Sequence, residues 1–286
     1  MPDPKLRQAI KNGEFILAPG VFEAISALLA DREGFEALYV TGYGTVASAL
    51  GLPDAGLATY SDMLGRIATI CERTTTPVIA DADTGYGGLL NVAHTVRGYE
   101  DAGVSAIQIE DQEFPKKCGH TPNRRVVPLE DMLRKIEVAA DARRSDDFLI
   151  VARTDSRTGL GLDEAIARGK AFAKAGADVI FVESPETEDE MKRIGEVIDA
   201  PLFANMVNGG RTPMLSADRL KELGFSIGIH PGLGFLAMGA ALQKAYADLR
   251  AHGETSADID LYNFGKFNEL VGFQEVWDFE KKYAQI

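Results

Sequence analysis

Short apolar runs alternate along the chain with longer stretches in which apolar residues recur every three or four positions. The runs are residues 15–18, 37–41, 77–81, 106–110, 148–152, 179–183, 202–205 and 225–229. Runs this short and this continuously apolar predict strands buried on both faces, as in a parallel sheet covered by helices. Between them, helical spacing predicts helices over 91–101, 129–144, 162–175 and 214–223. Gly103, Gly176 and Gly224 stop three of these helices just ahead of an apolar run, as the turn from helix to strand requires. Eight such units predict an α/β fold, a closed (β/α)8 barrel of TIM type over residues 1–252. An open doubly wound sheet is the rival, but it normally uses fewer strands, and no Gly-x-Gly-x-x-Gly follows the first run.

Beyond His252 the pattern changes. Phe264, Phe267, Leu270, Phe273, Val276, Trp277 and Tyr283 are mostly three or four residues apart, with Phe279 slightly off the line. They predict an apolar helical stripe in a C-terminal extension, residues 253–286. It either caps its own barrel or meets a partner subunit.

Composition narrows the function classes. The chain has 286 residues, 45% of them hydrophobic and 26% charged, enough for a large core. A net charge of −13 argues against nonspecific nucleic-acid or acidic-membrane binding, though not against a small anionic substrate. With two cysteines, Cys71 and Cys118, there is no disulfide scaffold, and a reducing, cytoplasmic setting is expected. No run approaches the roughly 18 apolar residues of a membrane span. The start, Met1-Pro2-Asp3-Pro4-Lys5, has no apolar signal core.

Polar groups gather where the predicted strands end. Asp81 and Asp83 follow the third, Glu110 and Asp111 the fourth, Arg153 and Asp155 the fifth, Glu183 the sixth and Asn205 the seventh. In a barrel these ends open on one face, where catalytic groups collect. Carboxylates sharing a pocket repel unless protons or a cation intervene. Oxygen ligands at Asp81, Asp83 and Glu110 suit Mg²⁺ or Mn²⁺, partly through water, whereas salt bridges to Arg153 and Lys116 are the plainer alternative. After the fourth strand, residues 113–127 include Pro115, Gly119 and Pro122 and show no helix, so they read as a lid. Lys116 and Lys117 could neutralise a substrate anion, and Cys118, between Lys117 and His120, could have a tuned thiol pKa.

The ordered motifs Thr41-Gly42-Tyr43-Gly44, Leu52-Pro53-Asp54, Asp81-Ala82-Asp83-Thr84-Gly85-Tyr86-Gly87, Glu110-Asp111-Gln112, Lys116-Lys117-Cys118-Gly119-His120, Ala152-Arg153-Thr154-Asp155 and the segment 205–213 carry a resemblance. The chain resembles the isocitrate lyase/phosphoenolpyruvate mutase superfamily, particularly its short 2-methylisocitrate and 2,3-dimethylmalate lyases. The resemblance implies a barrel whose eighth helix is swapped between subunits, usually in a homotetramer that is a dimer of dimers. It implies Mg²⁺ at Asp81, with Asp83 and Glu110 linked directly or through water and Asp54 supporting them. Thr41, Gly42 and Tyr43 would cradle a substrate carboxylate, Arg153 would pair with substrate oxygen, and His120, Glu183 and Asn205 would line the opposite side. Cys118 would be the proton donor.

The implied chemistry is a retro-aldol cleavage of a 2-hydroxy di- or tricarboxylate to a 2-oxo acid and a carboxylate. Arg153, His120 and Lys116 would stabilise developing charge, and Tyr39, Tyr43 or a water on the metal would accept the C2 hydroxyl proton. Lys117 and Gly119 join the substrate-binding set. Oxaloacetate hydrolase, oxaloacetate decarboxylase and carboxyphosphonoenolpyruvate-type mutase remain alternatives. Asn208-Gly209-Gly210-Arg211 sides with dimethylmalate lyase and oxaloacetate hydrolase, and Gly232 and Gly234 leave room near the eighth strand end. A Schiff-base aldolase is disfavoured, because no predicted strand ends in lysine. A dicarboxylate-binding barrel without turnover is disfavoured by the assembled acid and base groups.

Overall fold

A computed structural model describes residues 2–121 and 123–283; Pro122 of the predicted lid and the last three residues of the predicted tail lie outside them. The chain opens with α1 (Pro4–Lys11), β1 (Ile16–Val21), α2 (Ala24–Arg32), β2 (Leu38–Val40), α3 (Gly42–Leu50) and α4 (Tyr60–Arg73). It continues through β3 (Val78–Asp81), α5 (Leu89–Asp101), β4 (Ala106–Glu110), α6 (Leu129–Ala142), β5 (Leu149–Thr154), α7 (Ser156–Leu160) and α8 (Leu162–Lys174). β6 (Val179–Val182), α9 (Glu188–Val197), β7 (Leu202–Asn205), α10 (Ala217–Glu222) and β8 (Ile227–His230) follow, then α11 (Leu233–His252), α12 (Phe264–Val271) and α13 (Phe273–Tyr283). The eight strands pair in parallel in chain order, and β8 returns to β1 with Ile227 opposite Ile16, so the barrel closes.

Alternation along the strands makes two cores. Ile16, Tyr39, Ile79, Val151, Phe181, Phe203 and Ile227 point inward and form one cluster, closed from below by Leu6 of α1. Leu38, Val40, Val78, Ile107, Ile150 and Ile180 face outward beneath the helices. Where the inner cluster meets the carboxyl-end face, Phe181 and Phe203 pack at 4.9 Å and Tyr39 lies 5.9 Å from Phe203. This aromatic layer is the floor of the site. Gly103, Gly176 and Gly224 take φ of 94°, 110° and 88°, the left-handed turns expected before β4, β6 and β8.

Three departures from the sequence reading have a clear local cause. β1 runs on to Val21, although Pro19 and Gly20 suggest a stop. The missing Cβ of Gly20 admits Pro231 of the last strand–helix turn, whose carbonyl oxygen would lie 2.3 Å from it. The helix expected from Met214 starts only at Ala217, because Ser216 caps it by accepting from the Arg219 amide. The single apolar stripe of the tail is two helices, broken where Gly272 adopts φ 94°.

The tail is divided in its contacts too. α12 buries Leu270, and the Arg32 side chain of α2 donates to the Glu269 carbonyl at 3.1 Å. α13 has no buried residue, and neither does the 20-residue α11. Leu242, Tyr246, Leu249, Phe273, Trp277 and Phe279 are exposed. Among the described residues no helix is long and apolar enough to cross a membrane.

Candidate active site

A cavity of about 380 Å³ opens at the carboxyl ends of the strands. Fourteen of the sixteen residues singled out from the sequence line it: Tyr39, Thr41, Tyr43, Asp54, Asp81, Glu110, Lys116, Lys117, Cys118, Gly119, His120, Arg153, Glu183 and Asn205. Gly42 and Asp83 stand immediately behind that wall. A Cβ on Gly42 would meet Asp81 Oδ2 at 2.5 Å, so only glycine lets α3 begin this close to the β3 carboxylate. Asp83, with φ 49°, pairs with Lys116 at 2.6 Å, and its amide donates to Asp81 Oδ1 at 3.0 Å.

One side of the cavity is acidic. Burial raises the pKa of Asp81 and Glu110, with Lys116 and Arg153 acting against the shift in both. Burial, opposed by Lys116 and reinforced by Asp81 and Asp54, lifts Asp83 from 3.8 to about 7. Glu110 Oε1 is buried without a hydrogen-bond partner. Negative charge here is under-compensated, and oxygen donors in such a setting suit a hard divalent cation. No three His, Cys, Asp or Glu side chains among the described residues are placed to hold an ion together. Carboxylate oxygens of this kind suit Mg²⁺, which usually keeps several of its waters.

Lys116 is not free to meet a substrate anion. Its ammonium group bonds to both Asp54 and Asp83. Burial alone would discharge it, but those two carboxylates hold its pKa well above normal. The salt-bridge alternative is thus realised for Lys116, alongside the carboxylate cluster rather than instead of it.

The other side carries one fixed cation. Arg153 forms a two-pronged bond to Asp155, 2.9 Å on each arm, and also lies 3.4 Å from Glu110 and 3.3 Å from Glu183. Its guanidinium rests 5.1 Å above the Phe181 ring. Burial opposes the charge, but Asp155, Glu110 and Glu183 more than offset it. Asp155 is itself held by Arg124 and by Asp111, whose carboxylate accepts the Asp155 amide at 2.8 Å. Glu183 feels burial raising its pKa, but Arg153 and His120 pull it down to about 2, so it stays ionised.

The loop after β4 supplies the roof. Cys118 donates its amide to the Asp54 carbonyl at 3.1 Å, and Gln112 brackets Lys117 through both its amide and its carbonyl. Burial pushes the Cys118 thiol up rather than toward neutrality, so the tuned acidity expected from its charged neighbours is not found. It is kept as a thiol, the form able to donate a proton. Burial lowers the His120 pKa despite Glu183. The Arg211 amide donates to His120 Nδ1 at 3.2 Å, and Nε2 lies 3.4 Å from Asn205 Nδ2 and 3.6 Å from Glu183.

Tyr39 is a wall of the cavity but not a base. Its hydroxyl donates to Gln108 at 2.8 Å, and burial holds its pKa well above 10.0. Gln108 in turn donates to Asp81 at 3.2 Å. Gln108 escaped the sequence reading, though it lies two residues before Glu110 and so faces the same way. Phe235 and Leu236, from the first turn of α11, complete an apolar wall with Pro231 and Ile229.

Comparison with known proteins adds the following. The phosphoenolpyruvate phosphomutase family model matches residues 6–250. A 2,3-dimethylmalate lyase of Eubacterium barkeri is 47% identical over 98% of this chain and 97% of its own. A 2-methylisocitrate lyase of Aeropyrum pernix is 41% identical over 100% of this chain and 91% of its own. The solved structure of an oxaloacetate acetylhydrolase with 3,3-difluorooxalacetate superposes with a TM-score of 0.93 at 34% identity, covering 97% of this chain and 95% of that one.

Proposed function

Since the chain belongs to the phosphoenolpyruvate mutase/isocitrate lyase superfamily, we propose that its cavity cleaves the C2–C3 bond of a 2-hydroxy di- or tricarboxylate, of the dimethylmalate or methylisocitrate type, with Mg²⁺ or Mn²⁺. The observation that carries this reading is geometric: the half-buried thiol of Cys118 lines the roof of a cavity whose other side is a carboxylate cluster.

The cation, when bound, supplies Lewis acidity at the substrate's 2-oxygen and a counter-charge for its carboxylate. The protein's own groups do the rest. The uncapped start of α3 presents the Gly42 and Tyr43 amides, and with the Thr41 hydroxyl these receive the substrate carboxylate. Asp54 and Asp83 fix Lys116, which balances the acidic cluster without contacting substrate. As the C2–C3 bond breaks, charge grows on the departing carboxylate as an enolate. Arg153 and His120 stand beside that charge, and Glu183 and Asn205 hold both in place. Cys118 returns a proton to the departing carbon. Tyr39 drops out as acceptor of the C2 hydroxyl proton, which leaves Tyr43 and water.

On the same reading, α11 and the extension 253–286 meet a second copy by helix exchange within a dimer of dimers. The support is the exposed apolar face of α11 and α13. The likeness to an oxaloacetate acetylhydrolase favours one second reading, hydrolysis of oxaloacetate at the same site. A mass-spectrometric turnover screen with Mg²⁺ separates them, using 2,3-dimethylmalate, 2-methylisocitrate, other 2-alkylmalates, oxaloacetate and phosphonopyruvate. We expect a 2-oxo acid from a hydroxy acid, abolished by EDTA. Turnover of oxaloacetate or phosphonopyruvate alone, or full activity in metal-free protein, would overturn the lyase reading.

A further inference from the structure

Past the end of β6 the chain turns through Glu183 into Ser184. Ser184 is fully buried and has φ 58°, a left-handed backbone that residues with a Cβ rarely adopt. Its hydroxyl lies 3.0 Å from the Gly119 carbonyl in the roof loop and 3.0 Å from Glu183 Oε1. A hydroxyl has one proton to give, so it donates to one of these at a time. Gly119 comes down onto the Arg153–Glu183 pair so closely that a Cβ would lie 2.3 Å from Arg153 Nη2 and 2.8 Å from Glu183 Oε2. Its carbonyl is thereby buried and needs a donor.

We propose that Ser184 is a positioning residue that latches the roof loop, residues 113–121, over the cavity by giving its proton to the Gly119 carbonyl. With the loop seated, Glu183 Oε1 faces His120 Nε2, 3.6 Å away. With the loop raised, the Gly119 carbonyl returns to water and the Ser184 hydroxyl turns to Glu183 instead. One hydroxyl thus ties the seating of the roof to the environment of His120. The strained backbone at Ser184 is what aims the hydroxyl back toward the loop. This inference rests on reading the cavity as the active site, but the latch itself is measurable without turnover.

The test compares the wild-type chain with Ser184→Ala and Ser184→Gly, the second of which also relaxes the backbone at φ 58°. Amide hydrogen exchange of residues 116–121, without ligand, should speed up about tenfold in both variants, the size expected when a buried carbonyl loses its donor. Amides of β4 and β5 should not change. Oxalate bound with Mg²⁺ should leave about tenfold faster, with an unchanged association rate. Loop exchange equal in all three proteins overturns the latch. So does acceleration in Ser184→Ala but not in Ser184→Gly, which would assign the effect to backbone strain. If Ser184→Ala loses its fold, shown by exchange in β4 and β5, Ser184→Gly decides alone. If oxalate binds none of the proteins, the reading of the cavity fails, while the exchange data still decide the latch.

Discussion

At the scale of single residues, the chemistry turns on Cys118. Burial pushes its thiol up against the pull of Arg153, which suits the proton-donor role proposed for it. Cys118→Ser keeps the size and removes the acid. We expect kcat to fall by about 10²–10⁴ with the cognate hydroxy acid, while KM and the Mg²⁺ requirement change little. Single-turnover kinetics provide the check, and a near-wild-type rate would remove the thiol from the mechanism. Residues at or next to the carboxyl end of a strand are legible in the sequence, because a barrel puts every such end on one face. Asp81, Glu110, Arg153, Glu183 and Asn205 were found that way. Residues that act on those residues were not. Arg124 holds Asp155 from the middle of an irregular loop, and Ser184 depends on a backbone angle that no spacing reveals.

At the scale of elements, the ends of β3 and β4 carry carboxylates that fold at an electrostatic loss. Asp83 moves from 3.8 to about 7 and Asp111 to about 6, burial being the first cause in both. Between the ordinary and the raised value, the folded state holds a proton that the unfolded chain releases. Stability therefore declines as pH rises through that window, about 4 to 7, and no further above it. Glu183 has the opposite sign, but its gain is complete above its ordinary value of 4.5. Without divalent cations, the melting temperature should be lower at pH 8 than at pH 5. Mg²⁺ should restore more at pH 8 than at pH 6, since its ligands must be ionised. Thermal melts at fixed ionic strength check this, and a Mg²⁺ effect independent of pH would contradict it. All eight strands were legible from their apolar runs, but element boundaries were less so. β1 overran its forecast because Gly20 serves a packing contact and not a turn, and α12 and α13 read as one helix because Gly272 falls inside an unbroken apolar rhythm.

At the scale of the whole molecule, the barrel is closed and its core double, yet one flank is unfinished. Neither α11 nor α13 buries a residue, although both present large apolar side chains. Surfaces of this kind mark contacts between proteins. Sedimentation at micromolar protein should find a species larger than a monomer, and a monomer alone would contradict the assignment of these helices to an interface. α11 has a further property. Its first turn brings Phe235 to the cavity, clamped edge-on to Tyr43 at 5.2 Å and to Phe22 at 6.3 Å, and the helix is 20 residues long. At 1.5 Å per residue it is a rod of about 30 Å, so a tilt of about ten degrees about the clamp carries the far end about 5 Å and Phe235 well under 1 Å. The rod is a lever with its fulcrum at the cavity. A small displacement of its outer end would therefore reach the residues lining the cavity only after a large mechanical reduction.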